Sequence, residues 1–254
     1  MILASNPRHK PAPSGAGFDF ASKDIFRYSA LTMPRRKQKQ MDIITIFPEA
    51  VVPYTQISIL GRAQKNHLLT IQAHDLRAWT TDKHHTTDDT PYGGGPGMVM
   101  KVEPFDRAIK AVKKRGKKTR VILTAASGKT FTQADAKRLA DYDQLIFLCG
   151  RYEGVDERVR EHLVDETFSI GSYVLTGGEL PALVMTDAIA RMIPGVLGKE
   201  ESLEEESHVQ TGVLEYPQYT KPETYRRWCV PPILLSGDHK KIEAWRKQKK
   251  QILP

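Results

Sequence analysis

The apolar positions of this chain come in two rhythms. Residues 121–123 and 145–149 are short uninterrupted apolar runs, the pattern of strands buried on both faces. Residues 43–47 and 68–73 read as two more strands. Elsewhere the spacing lengthens: Phe105, Ala108, Ile109 and Val112 fall at i, i+3, i+4 and i+7 of a helix that Pro104 opens and Gly116 stops. Pro48 and Glu49 mark a helix start, Thr132 and Asp135 have the spacing of a capping box, and residues 180–193 form a helix closed by Pro194 and Gly195. Strands alternating with helices in this way predict an α/β domain with a largely parallel sheet.

That pattern occupies residues 41–198. Residues 1–40 lack it, contain Pro11, Pro13, Gly15 and Gly17, and read as a basic disordered extension or as a start placed ahead of Met33 or Met41. Residues 199–212 hold five glutamates and no apolar face, the composition of an acidic linker. In residues 213–254, Pro217, Pro222, Pro231 and Pro232 precede one short helix, 238–250, with Ile242 and Trp245 on one side.

Composition adds two constraints. No apolar run reaches the ~18 residues of a membrane span, and Cys149 and Cys229 form neither a disulfide framework nor a metal spacing, which points to a reduced, cytoplasmic protein. The net charge of +8 is concentrated at the ends. Residues 1–40 carry eight Lys or Arg against two acids, and residues 238–254 carry six against two, so the stretch between is slightly acidic. Basic ends suit a polyanionic partner.

The candidate chemistry lies in two glycine-rich turns fifteen residues apart, Gly150-Arg151-Tyr152-Glu153-Gly154 and the segment from Ile170 to Pro181 with Gly171, Gly177 and Gly178. Bare backbone there can hydrogen-bond a flat heterocycle and let it approach closely. Arg151, Glu153 and Glu179 are more charge than a simple bend requires. No G-x-G-x-x-G follows the first strand and no Gly-Lys-Ser/Thr follows Gly93-Gly94-Gly95-Pro96-Gly97, which argues against dinucleotide and P-loop chemistry. An acidic residue ahead of a Gly-x-Gly, as in Rossmann-type methyltransferases, is absent too. His84 and His85 lack further ligands and read as loop residues; no pattern calls for a metal, and a divalent ion enters only as a possible assistant.

Together with Pro91-Tyr92-Gly93-Gly94-Gly95-Pro96-Gly97-Met98 and Arg191-Met192-Ile193-Pro194-Gly195-Val196-Leu197-Gly198, these segments resemble the bacterial tRNA (guanine-N1)-methyltransferases, a family of knotted, S-adenosylmethionine-dependent RNA methyltransferases. The likeness spans about residues 41–246. It implies a trefoil-knotted parallel-sheet domain, S-adenosyl-L-methionine as methyl donor, tRNA as partner, a homodimer with a shared active site, and a helical C-terminal domain that is here shortened. The implied cofactor contacts are Thr124 and Ala126 in the turn after the strand at 121–123, Gly150 and Tyr152, and Ile170, Gly171, Ser172, Tyr173, Val174, Leu175, Gly177, Gly178 and Pro181. At the first turn relatives have a Ser-Pro-Gln-Gly-like sequence where this chain has Ala125-Ala126-Ser127-Gly128.

Methylating guanine at N1 requires a base to take the N1 proton and a cation or N–H donor at O6, where negative charge develops. The resemblance implies Arg191 as the cation and Glu206, before Ser207, as the base, at a position where relatives have aspartate. Glu153 matches a further functional glutamate, and Asp88, Tyr92, Gly93 and Gly94 belong to a loop that approaches the target nucleotide. From the residues alone, Arg191 would pair with Asp187 at i,i+4 and Glu206 would be one of five solvated glutamates. Two other readings stay open, a non-catalytic RNA-binding relative and a knotted methyltransferase with another RNA target.

Overall fold

The computed structural model describes residues 38–197 and 213–252. The strands of the first stretch are β1 (Lys39–Thr45), β2 (Leu69–Asp75), the two-residue pair β3 (Asp88–Asp89) and β4 (Val99–Met100), β5 (Thr119–Thr130), β6 (Gln144–Cys149) and β7 (Glu166–Ser169). Five of them form one sheet in the order β2-β1-β6-β5-β7, and every neighbour in it is parallel. Parallel neighbours need crossovers, which α1 (Val52–Thr55), α2 (Ser58–Lys65), α3 (Val102–Val112), α4 (Gln133–Leu139) and α5 (Glu157–His162) help to supply; α6 (Glu179–Arg191) follows β7. This is the α/β architecture with a parallel sheet that the alternating pattern predicts.

The helices cover both faces. Met41, Ile43, Leu145 and Phe147 look toward Leu60 of α2, Leu139 of α4 and Ile189 of α6, while Ile44, Ile46, Ile146 and Leu148 look toward Phe105 and Ile109 of α3 and Val159 of α5. Burial on both faces is why β6 is an unbroken apolar run. Asp42 of β1 places a charge inside the core. It is fully buried, and its carboxylate accepts from Gln40 at 2.9 Å and Gln144 at 2.7 Å and pairs with His74 at 2.8 Å. Three partners meet the requirement that a buried carboxylate be compensated.

Several boundaries move. β1 begins at Lys39, two residues ahead of the expected domain start, because Lys39 N–H donates to Leu68 and Gln40 N–H to Asp143 at the sheet's edge. α3 opens at Val102, placing Pro104 inside the first turn, where its missing N–H costs nothing. The capping box at Thr132 and Asp135 forms in full at the start of α4.

β5 differs most from expectation, running twelve residues where the apolar pattern marks three. Its pairing with β7 jumps from Thr124↔Phe168 to Lys129↔Phe168, so residues 125–128 leave the ladder as a bulge. Gly128 makes the return possible, since a Cβ there would lie 2.6 Å from the Phe168 carbonyl carbon.

In the second stretch β8 (Val213–Leu214), β9 (Thr224–Tyr225), β10 (Trp228–Cys229) and β11 (Gln251–Ile252) form two antiparallel pairs, β8 with β11 and β9 with β10. Two helices lie between β10 and β11, α7 (Pro232–Leu235) and α8 (His239–Lys249). α8 is the helix expected at 238–250, capped by the Asp238 carboxylate on Lys241 N–H, and none of its residues is buried. The acidic linker at 199–212 and the extension at 1–37 lie outside the described residues.

Candidate cofactor site

The carboxyl ends of β5, β6 and β7 lie side by side, and the chain leaves each of them as a loop: the 125–128 bulge, the turn from Gly150, and the segment from Ile170. Ligands of open parallel sheets collect outside this edge. Here the three loops enclose a cavity of about 400 Å³, within the range of small-molecule sites. Leu123, Phe168, Ile170 and Pro181 give it apolar walls. Of the cofactor contacts expected from sequence, all line it except Ser172, which follows Gly171 in the same loop. Glu153 lines it as well. An open groove of about 710 Å³ adjoins it and shares Ser127, Glu157 and Arg160.

The loops are locked to one another. Gly178 N–H donates to the Gly150 carbonyl at 2.9 Å, Arg151 and Gly177 form an antiparallel bridge, and the Thr124 hydroxyl reaches the Leu148 and Gly178 carbonyls. Arg151 Nε donates to both carboxylate oxygens of Glu179 at 3.2 and 3.0 Å, its Nη1 reaches the Thr176 carbonyl, and its guanidinium lies over the Phe47 ring. Glu179 is buried and also accepts from the Thr45 hydroxyl at 2.6 Å. Two of the three charges that exceed what a simple bend requires therefore tie one turn to the other.

The glycines of this seam have the same purpose. A Cβ on Gly178 would stand 2.8 Å from Cys149 Cα and 3.0 Å from Gly150 N, and one on Gly177 would meet Glu179 Oε2 at 2.5 Å. Gly178 is bare so that backbone can pack on backbone, and Gly177 so that the Arg151 and Glu179 side chains can lie against it. Gly150 is different, with its nearest would-be contact Val155 Cγ1 at 3.4 Å. Tyr152, half-exposed at the rim, has φ +58°, a left-handed conformation that costs a non-glycine residue of order 1 kcal/mol. Beneath the seam Cys149 is completely buried, and burial, then the nearby Glu179 carboxylate, push its thiol pKa well above the usual value.

The Pro91–Met98 motif meets this site through Glu153. The Met98 carbonyl accepts from Glu153 N–H, Met100 N–H donates to Gly154, and a Cβ on Gly97 would lie 2.6 Å from Glu153 Cγ. Asp88 and Asp89 pair with Met100 and Val99. Tyr92, Gly93 and Gly94 are exposed and outside the cavity wall. Arg191 ends α6, partly exposed and outside the wall, while Asp187 accepts from the Tyr54 hydroxyl at 3.2 Å. Glu206 and Ser207 lie outside the described residues. Glu157 and Arg160, an ion pair at the cavity mouth, escaped sequence reading because their segment has a single buried residue, Val159. Among the described residues no group of three His, Cys, Asp or Glu side chains is placed to hold a metal, and no helix is long and apolar enough to cross a membrane.

Sheet, crossovers and loops define a parallel α/β protein with a small-molecule cavity at the carboxyl edge. The chain belongs to the family described as tRNA (Guanine-1)-methyltransferase TrmD, whose model matches residues 39–252. It is 50% identical over 214 residues to a tRNA (guanine-N(1)-)-methyltransferase of Heliobacterium modesticaldum, covering 82% of this chain and 79% of that protein. Proteins of the same name from Carboxydothermus hydrogenoformans, 51% identical, and Desulforamulus reducens, 53% identical, match 82% of this chain and 81% and 83% of their own lengths.

Proposed function

We propose that this chain transfers a methyl group from S-adenosyl-L-methionine to N1 of the guanine 3′-adjacent to the tRNA anticodon. The observation that carries the reading is the cavity at the carboxyl edge, walled by the loops in which the family resemblance puts the cofactor contacts. Its lining fits the cofactor: apolar walls for an adenine, with Gly150, Ile170, Gly171 and residues 173–175 around the rest of the space. The cofactor, when bound, supplies an electrophilic methyl group. The chain's own residues do the rest: the three loops hold and orient the cofactor, Glu206 accepts the N1 proton, Arg191 stabilises charge on O6, and Glu153, braced by Gly97 and Met98, positions the nucleotide.

Finer features of the family belong to the same reading. The three loops form a trefoil knot, the enzyme works in the cytoplasm, and residues 213–254 serve as a tRNA-binding region after the 199–212 linker. It acts as a homodimer, which Leu180 and Val184 support as exposed apolar residues one turn apart on α6. The test is methyl transfer from labelled cofactor to an unmodified tRNA transcript with guanine 3′ of the anticodon, followed by mass mapping of the product. A transcript with adenine there should take up no label. Cofactor binding without transfer would favour the non-catalytic reading, and label at another nucleotide a different target. Gly150→Val should abolish cofactor binding in titration calorimetry while the protein stays folded.

A further inference from the structure

The β9–β10 hairpin carries two large aromatic side chains into solvent. Tyr225 and Trp228 are directly paired across it, 55% and 66% exposed, with ring centroids 5.8 Å apart and planes tilted by 44°. Pairing across a hairpin usually serves to shelter such rings, yet both remain more than half exposed. Between them in the turn sit Arg226 and Arg227. The Arg226 guanidinium lies 5.4 Å from the Tyr225 ring centroid and 5.9 Å from that of Trp228. Over residues 219–229 there are three basic residues, Lys221, Arg226 and Arg227, against Glu223 alone.

The backbone adds a second observation. Arg226 is the first central residue of a two-residue hairpin turn and has φ +59°, where glycine is the favoured residue. A left-handed non-glycine residue costs free energy, and such strain collects where a side chain has work to do. Here the residue that incurs it is the cation in contact with both rings.

We propose that Tyr225, Arg226 and Trp228 form a stacking platform for an unpaired nucleotide of the RNA substrate. An exposed indole face takes any base, because every base has a π-face, and the adjacent guanidinium meets its phosphate or stacks in turn. A double-stranded segment offers no free base face and is a poor occupant. The proposal rests on the reading of the chain as an RNA-acting enzyme, but it assigns a contact to residues outside the cofactor cavity.

The probe is a single-stranded oligouridine of about ten nucleotides, long enough for one such site, titrated into the full-length protein by fluorescence anisotropy. Trp228→Ala and Tyr225→Ala should each weaken binding roughly tenfold, and Trp228→Phe should restore most of it. Arg226→Gly suits the turn better than the native residue, so the hairpin persists while affinity falls and the salt dependence loses about one unit of slope. For tRNA methylation, Trp228→Ala should raise KM and leave kcat unchanged. Unaltered oligouridine binding in both alanine variants would overturn the platform. So would equal weakening toward a blunt RNA duplex, or a change in sedimentation that shows the rings to be a contact between protein copies. If oligouridine binds as expected and no methyl transfer is found, the platform stands and the enzymatic reading fails.

Discussion

Two glycine-rich segments meet near Glu153, and they use glycine for opposite reasons. At the seam, Gly177 and Gly178 have no space: a Cβ would enter Glu179, Cys149 or Gly150. In the Pro91–Met98 motif, Gly93, Gly94 and Gly95 have positive φ and a would-be Cβ meets nothing within 4 Å. The first pair is bare so that two loops can touch; the second set is bare so that one loop can turn. Composition treats the two alike. One is a packed wall of the cavity and the other an open turn, which suits the proposed holding of a cofactor and approach of a nucleotide.

Three substitutions test this contrast. The largest effect should come from Arg151→Met, which leaves Glu179 buried with Thr45 as its remaining side-chain partner; breaking one side of a buried pair costs about 3–5 kcal/mol, read as a lower urea midpoint with loss of cofactor binding. Gly178→Ala should follow at about 2–3 kcal/mol, the cost of overpacking against the Thr124 hydroxyl and the Cys149 and Gly150 backbone, which cannot yield. Gly94→Ala should cost only about 1 kcal/mol, through φ alone, and should lower methylation more than cofactor affinity. A Gly94 variant as unstable as the Gly178 variant would erase the distinction.

The smallest effect is that of acid, acting outside the seam. Burial raises the Glu166 carboxyl pKa, but its hydrogen bonds to Arg138 and Arg120 outweigh this and hold it below the ordinary value. Asp135, opposed by burial in the same way, is held low by Thr132, Lys129 and Arg138. Both pKa values are depressed on folding, so the stability they contribute is complete above the ordinary carboxylate range near ~4. It is lost as pH falls through the depressed values. Thermal midpoints should be flat through neutral pH and fall below about pH 4. Replacing Glu166 by Gln should lower the plateau and shrink that acid-side loss.

Local rules carried the reading furthest where the physics is local. The capping box at Thr132, the α3 periodicity and the run at 145–149 could be read directly because cap, face and strand each lie within a few neighbours. β7 and α5 could not. β7 is an edge strand of four residues whose Glu166 turns to Arg120 and Arg138, and α5 buries one residue, so neither shows a period. In the site, family likeness located the loops, but the pairing of Arg151 with Glu179 joins residues 28 apart in sequence. Nothing in either neighbourhood marks the other as its partner, and both charges read as chemistry until the fold brought them together.

Cys149 and Cys229 turn that seam into something that can be timed. Both thiols are free, one sealed beneath Gly178 with its pKa pushed up by burial, the other on the surface of the β9–β10 hairpin. A thiol-specific dye should therefore label the protein in two phases, with Cys229 reacting at once as an internal reference. The slow phase counts the moments at which the loops part. Saturating cofactor should lengthen it, because a ligand wedged among all three loops opposes their separation, and Arg151→Met should shorten it. If the cavity holds the methyl donor as proposed, this slow phase times the opening of its loops without RNA or catalysis.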